Sequence, residues 1–388
     1  MRRVQIVTGD FRLGGGMDRA NLALADHLAS EGVSVRLVAH FVDEALASRP
    51  GVSVRHVGRP LGSHLLGAPL LNRAGRDEAR RCLHDGGRVV VNGGNCLVAD
   101  VNWAHYVHAA HEPSMGTSAG PRRLIHSIAR RRAIVHEKTA LRSARLVIAN
   151  SERTRVDLIE RVNIDPARIA VIYYGIDANR FGAISPEEKA DARRSLGWVD
   201  GRPTMAFIGA LGDRRKGFDT LFEAMRRLCL GEPSWEADLV VVGSGAEAPE
   251  WERRACESGL GGRVRFLGRR DDVPRILAAC DALVHPARYE AYGLGVHEAL
   301  CRGLPALVSA SAGVAERYPD DLRPLLITNP NDPDELASRL MAWLATRDTL
   351  RGPVTSLAEK LRARTWDDMA REIRVRIEAS PLDGKAAR

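Results

Sequence analysis

Two glutamates, Glu290 and Glu298, bracket a glycine-containing stretch, Arg288-Tyr289-Glu290-Ala291-Tyr292-Gly293-Leu294-Gly295-Val296-His297-Glu298. Carboxylates accept hydrogen bonds from hydroxyls, as on a sugar or a ribose. The glycines between them allow backbone N–H groups to face a phosphate at a helix N-terminus. Further upstream, Gly209-Ala210-Leu211-Gly212-Asp213-Arg214-Arg215-Lys216-Gly217 sets three cations just ahead of a helical stretch. Cations at a helix start oppose its dipole and carry a stability cost unless an anion sits there, which favours a diphosphate site over a solvated loop. A third segment, Gly14-Gly15-Gly16, opens the first helix and reads either as an anion-binding loop or as a flexible turn. His105, His108 and His111 follow a Trp in the first half. In an extended segment positions 105 and 108 face opposite sides, which disfavours a metal site and leaves a partly buried, hydrogen-bonded histidine as the plain reading.

These residues need a scaffold that brings loops together. Residues 4–8 read as a strand, 9–16 as a loop, 17–31 as a helix and 33–39 as a second strand. Such a β-loop-α-β unit implies a parallel sheet with helices on its faces. Residues 89–91 and 146–149 are further strands of that half. After a polar, helix-like stretch at 182–200 the pattern restarts, with strands at 204–209, 239–242, 264–267, 282–284 and 306–309 and helices at 217–229 and 295–302. The expected fold is therefore α/β, with two doubly wound parallel-sheet domains facing across a cleft, the second sheet having about five strands and the linker lying near 174–181. A ligand of such a fold sits outside the carboxyl ends of the strands. The expected domains are 1–176, rejoined by a C-terminal helix at 365–380, and 177–364.

Composition narrows the function. The 388 residues carry 57 Lys plus Arg against 49 Asp plus Glu, a formal charge of +8, with 45% apolar content. The basic excess admits nucleic acid, an anionic membrane face or a phosphorylated ligand. Aromatic content of 5% without a stacking cluster counts against nucleic acid. No apolar run approaches the roughly 20 residues of a membrane span, and the N-terminal apolar run is too short for a signal peptide, so a cytoplasmic protein is expected. The six cysteines form no C-x-x-C pair, which argues against zinc ribbons, thioredoxin-type centres and a disulfide framework. The first glycine loop is not G-x-G-x-x-G, and neither a P-loop nor a G-x-S-x-G elbow occurs.

Taken with their order and spacing, these segments resemble the retaining glycosyltransferases of family four, which have the two-Rossmann GT-B fold. Glu290 and Glu298 resemble the E-x7-E motif, Arg215-Lys216-Gly217 the phosphate-binding R-K-G, and Gly14-Gly15-Gly16 the N-domain glycine loop. Val171-Ile172-Tyr173-Tyr174-Gly175-Ile176-Asp177 with Phe181 resembles the interdomain segment, and Phe266-Leu267-Gly268 the strand near the base. The resemblance covers nearly the whole chain and is loose between 52 and 165. It implies a nucleotide-diphospho-sugar donor, UDP-glucose first, and an acceptor hydroxyl that the motifs do not specify. It implies that Glu290 holds donor-sugar hydroxyls and Glu298 the ribose. It further implies that Gly15, Gly16, Ala291, Tyr292, Gly293 and Leu294 line the donor, and that Arg215 and Lys216 neutralise the leaving diphosphate. Catalytic roles fall to His105 (with His108 as the second choice), Glu290 and Lys216, with no metal and no cofactor. Two departures stand out: Ala210 replaces an Arg after the strand glycine, and Tyr174 replaces the Asn before Gly175.

Between 121 and 155 the chain is strongly basic, and Leu124, Ile125, Ile128 and Ala129 form an apolar stripe. The segment reads either as a helix on an anionic membrane surface or as a solvated helix packing its stripe inward. Two other functions fit the same fold: a sugar-nucleotide epimerase, and a non-catalytic sugar-nucleotide or anionic-lipid binding protein.

Overall fold

The structure is a computed structural model that describes residues 1–14, 16–111, 121–198 and 201–380, and for 121–128 the backbone alone. Contacts divide the chain into two units. One runs through Gly175 and takes back the chain from Arg364 onward; the other runs from Ile176 to Ala363.

The strands of the first unit are β1 (Arg3–Val7), β2 (Asp10–Phe11), β3 (Ser34–Ala39), β4 (Phe41–Val42), β5 (Val52–His56), β6 (Arg88–Val91), β7 (Val101–Ala104), β8 (Leu146–Ala149) and β9 (Ile169–Val171). Seven of them form a sheet in the order β5-β3-β1-β6-β7-β8-β9, while β2 and β4 pair separately. Every neighbouring pair is parallel, with Val4 opposite Val35 and Ile6 opposite Leu37. Helices cover parallel sheets on both faces, so central strands are apolar along their whole length. The runs Val89-Val90-Val91 and Leu146–Ala149 are buried accordingly.

The helix Trp366–Ala379 belongs to this unit. A capping box closes its start, with Thr365 accepting from the Asp368 N–H and Asp368 accepting from the Thr365 N–H. Arg88 closes its end: Nη1 donates to the Ile377 carbonyl at 2.5 Å and the Ser380 carbonyl at 2.7 Å. The Arg88 guanidinium is anchored in turn by the fully buried Asp100, at 2.8 to 3.1 Å. A cation on the last carbonyls of a helix favours its dipole.

The second unit contains β10 (Thr204–Ile208), β11 (Asp238–Val242), β12 (Val264–Gly268), β13 (Ala282–His285), β14 (Ala306–Ser309) and β15 (Leu326–Ile327). They form one parallel sheet in the order β12-β11-β10-β13-β14-β15. The sheet has six strands rather than the expected five, because the two-residue β15 is too short to register as a periodic run. Its helices, including Phe218–Gly231 and Leu294–Cys301, bury their apolar faces on the sheet. The strand order reverses between β10 and β13, which makes the crevice beyond their carboxyl ends the switch point of this unit.

The basic segment 121–155 is not one surface helix. It folds as the helix Pro121–Ser143, the buried strand β8 and the helix Glu152–Asp157. Several of its cations are paired inside the unit: Arg145 with Asp100 at 2.9 Å and Arg153 with Asp157 at 3.0 Å. The stripe residues Leu124, Ile125 and Ile128, with Arg122 and Arg123, lie outside the described side chains. Among the described residues, no helix is long and apolar enough to cross a membrane.

Candidate active site

Loops after β10 and β13 meet at the switch point of the second unit. After β10 the chain makes a tight turn, Arg214–Lys216, capped by the Asp213 carboxylate on the Arg215 N–H. Gly217 then takes φ +72° and begins the helix Phe218–Gly231. A Cβ at Gly217 would lie 1.9 Å from the Pro286 carbonyl oxygen, so only glycine allows the two loops to approach this closely. The contact is reinforced by the Arg288 N–H donating to the Arg215 carbonyl at 2.8 Å and by Arg215 Nη1 donating to the Tyr289 carbonyl at 3.3 Å. Arg288 also forks onto the Asp219 carboxylate at 2.7 and 2.9 Å, tying the β13 loop to the next helix.

This framework places Lys216 and Glu290 side by side. Lys216 Nζ lies 2.6 Å from Glu290 Oε2, and His285 Nε2 lies 3.0 Å from the same oxygen. Burial alone would raise the Glu290 pKa; the Lys216 ammonium and the His285 hydrogen bond outweigh it and hold the carboxyl well below the usual carboxylate range. Burial, in contrast, lowers the pKa of His285 despite its carboxylate partner. An ionised carboxylate only accepts, so a neutral His285 must carry its proton on Nε2. Among the described residues Glu290 Oε1 accepts no hydrogen bond, and Lys216 Nζ makes one of the three it can donate. The pair thus presents an acceptor edge and spare donors.

The other donor residues expected in this unit lie on the same two loops and on the helix that follows β13. Gly293, at φ +106°, is the cap residue of Leu294–Cys301 and has no side chain of its own to cap it. Ala291 and Tyr292 are buried, and the Tyr292 hydroxyl pairs with His297 Nδ1 at 2.8 Å, so its side chain supports the loop. Leu294 is the first residue of the helix, where the sequence placed Gly295. Glu298 lies half-buried on the same helix. Arg215 is engaged with Asp213 at 3.0 Å, and Arg214 is exposed.

In the first unit, Gly16 is the first residue of the helix Gly16–Ser30, and Gly15 lies outside the described residues. His105 follows β7, Asn150 follows β8 and Tyr174 lies just past β9. These neighbouring strands deliver all three side chains to one spot. His105 Nδ1 lies 2.5 Å from the Tyr174 hydroxyl, and Asn150 Nδ2 donates to that hydroxyl at 3.1 Å and to the His105 carbonyl at 3.1 Å. Trp103 packs on the imidazole with ring centroids 4.3 Å apart. Burial pushes the His105 pKa down to about 3, so the ring is neutral at physiological pH. His108, the alternative, is half-exposed and bonds the buried Glu137 at 2.7 Å.

The sequence motifs give His285 no role; it directly follows the expected strand 282–284. They mark Tyr174 only as a departure, and give no role to Asn150 or Arg288. A histidine closing a switch-point strand five residues before a loop glutamate was the available signal for the first.

Comparison with known proteins agrees over both units. Residues 14–180 match the model of Glycosyltransferase Family 4, and residues 202–346 match that of Glycosyl transferases group 1. The D-inositol 3-phosphate glycosyltransferase of Salinispora arenicola is 30% identical, covering 88% of this chain and 82% of the relative. The protein of the same name from Geodermatophilus obscurus is 28% identical, covering 87% and 79%. Among solved structures, WaaG, a glycosyltransferase involved in lipopolysaccharide biosynthesis, superposes with a TM-score of 0.76 at 20% identity, covering 98% of this chain and all of that one. Anabaena HepE in complex with UDP-glucose superposes at 0.70 with 21% identity, covering 98% of this chain and 100% of that one. These likenesses show the GT-B fold.

Proposed function

The chain belongs to glycosyltransferase family 4, and from that membership we propose that it moves a hexose from a nucleotide-diphospho-sugar to an acceptor hydroxyl with retention at the anomeric carbon. The observation that carries this reading is the Lys216–Glu290–His285 cluster at the switch point of the second unit. Its acceptor edge suits sugar hydroxyls, and the Lys216 ammonium, with Arg215 on the same loop, suits a diphosphate. UDP-glucose is the first donor to try, supported by the HepE complex. The names of the inositol phosphate relatives make a phosphorylated cyclitol the first acceptor to try.

In this reading Glu290 Oε1 accepts from donor-sugar hydroxyls while Oε2 stays on Lys216 and His285. The bond between the anomeric carbon and the diphosphate oxygen breaks, and the acceptor oxygen bonds the same face of that carbon. The acceptor proton passes to the departing phosphate oxygen. Negative charge grows on the diphosphate, and Lys216 and Arg215, already fixed by their partners, stabilise it without reorganising. Neutral His105, held by Tyr174, serves as a hydrogen-bonding group rather than as a cation. Glu298 takes the ribose hydroxyls. No step requires a metal or a cofactor.

The test is a thermal-shift and hydrolysis screen over UDP-, GDP-, ADP- and dTDP-sugars, with the anomeric configuration of any product read by NMR. A donor that stabilises the protein and is slowly hydrolysed supports the reading. A flat screen overturns it, and epimerised sugar formed without acceptor replaces it with an epimerase.

A further inference from the structure

We propose that the first unit docks onto an anionic phospholipid surface through an apolar tip formed by Leu61 and the first turns of the helix His64–His84. Among the described residues eleven large apolar side chains are exposed, and seven of these fall between Leu13 and Leu70. Leu61 is 95% exposed, Leu65 57%, Leu66 47% and Leu70 43%. Contiguous apolar exposure of this kind marks an interaction surface, whereas single exposed leucines do not.

The helix itself does not need these leucines for folding. Its core-facing stripe is complete on the opposite side, with Gly67, Leu71, Ala74, Gly75, Ala79 and Cys82 buried. At 100° per residue, Leu65, Pro69, Arg73, Arg76 and Arg80 fall within an arc of about 80° on the solvent side. That face is apolar for its first two turns and then basic. Arg73, Arg76 and Arg80 are all exposed, and only Arg80 has an ion-pair partner among the described residues, Asp77 at 3.6 Å. An apolar tip followed along the same helix face by three arginines fits acyl chains beneath a layer of anionic headgroups.

The approach to the helix is also built to project a leucine. Leu61 has φ +52°, in the left-handed region that a non-glycine residue seldom adopts, and Gly62 follows at φ +66°. The tip continues onto its neighbours. A Cβ at Gly67 would meet the His40 ring at 2.9 Å, so the helix start lies against the segment that carries the exposed Phe41. The Arg12 guanidinium, paired with Asp10 at 3.4 Å, sits over the Phe41 ring at 4.0 Å.

The shape and charge select the occupant. Leu61 stands out from the surface rather than lining a groove. The arginines that follow the tip on the same face call for an anionic occupant, which a second copy of this basic face does not offer. The inference does not depend on the proposed reaction.

The experiment is co-sedimentation of the full chain with sucrose-loaded vesicles, one set of equal phosphatidylglycerol and phosphatidylcholine and one of phosphatidylcholine alone. Binding to the anionic set is expected to be at least about tenfold tighter. Two variants, Leu61→Ser/Leu65→Ser/Leu66→Ser and Arg73→Glu/Arg76→Glu, are each expected to weaken it by at least about tenfold while the thermal midpoint holds. Absence of vesicle binding by the unaltered chain overturns the proposal. So does leucine-variant binding equal to that of the unaltered chain, or loss of binding only in Arg131→Glu/Arg132→Glu. A dimer seen by light scattering that the leucine variant abolishes, with vesicles ignored, would assign the face to a second copy instead.

Discussion

Lys216 Nζ lies 2.6 Å from Glu290 Oε2, although the two residues are 74 positions apart in the chain. The contact exists because β10 and β13 are adjacent in the sheet, so the loops that follow them share one crevice. Both side chains are mostly buried, with 18% and 15% of their surface exposed. A pair this enclosed is expensive to break from one side, because the remaining charge keeps its burial and loses its partner.

Lys216→Ala should therefore lower kcat/KM for donor hydrolysis or transfer by about 100-fold to 1000-fold, the range for removing one charge-stabilising group. Glu290→Gln should cause a comparable loss with a smaller stability change, since the amide still occupies the space. Steady-state kinetics beside urea unfolding checks both, and unchanged kinetics in either variant removes that residue from the site.

The low pKa of Glu290 makes acid stability a second readout. Burial works against the charged form, and Lys216 with His285 overrides it. Its folded pKa is below the unfolded value of about 4.3, so its contribution is full above that pH and is lost as pH falls below it. Urea unfolding at pH 5, 4 and 3.5 should show the parent losing stability faster than Glu290→Gln. Parallel profiles would contradict the assignment.

Tyr174→Phe should destabilise the first unit by about 1–3 kcal/mol, the cost of leaving a buried polar partner unmet. The deleted hydroxyl serves both His105 Nδ1 and Asn150 Nδ2. If His105 contributes to turnover, the same variant should lower kcat more than a surface substitution of equal stability cost. A stability change under about 0.5 kcal/mol would mean the hydroxyl is dispensable.

Gly217→Ala places a methyl group 1.9 Å from the Pro286 carbonyl and strains a backbone at φ +72°. The loss should exceed about 1 kcal/mol, the range beyond which glycine replacement is incompatible with the native conformation. Activity should fall more steeply, to about one hundredth, because the Lys216 and Glu290 loops separate. Differential scanning calorimetry with kinetics would register both effects, and a fully active variant would show that the loops tolerate separation.

Arg88→Ala should cost about 3–5 kcal/mol, because Asp100 is left charged and fully buried beside Arg145 alone. It also frees the carbonyls at the end of Trp366–Ala379, so hydrogen exchange should rise there first. Arg88→Lys is expected to restore little, since an ammonium cannot reproduce the forked geometry. Unchanged exchange in that helix would refute its anchoring by Arg88.

Much of the scaffold was legible from local pattern. Strands such as 89–91 and 146–149 announce themselves as apolar runs, and the spacing between them leaves room for helices. The loops after β10 and β13 were recognisable because glycine, lysine and glutamate chemistry is written residue by residue. Periodicity reports only which face a segment buries. It carries no information on which strand lies beside which, and a two-residue strand such as β15 has no period to detect. The order β12-β11-β10-β13-β14-β15 comes from how the connecting helices pack, and it brings Lys216 of the β10 loop to the carboxylate oxygen that His285 at the end of β13 already holds. The grouping of His105, Asn150 and Tyr174 arises in the same way from three neighbouring strand ends. The residues that can do chemistry are thus a property of the sequence. Their contacts are decided by long-range packing, which brings together groups whose separation along the chain hides their relation.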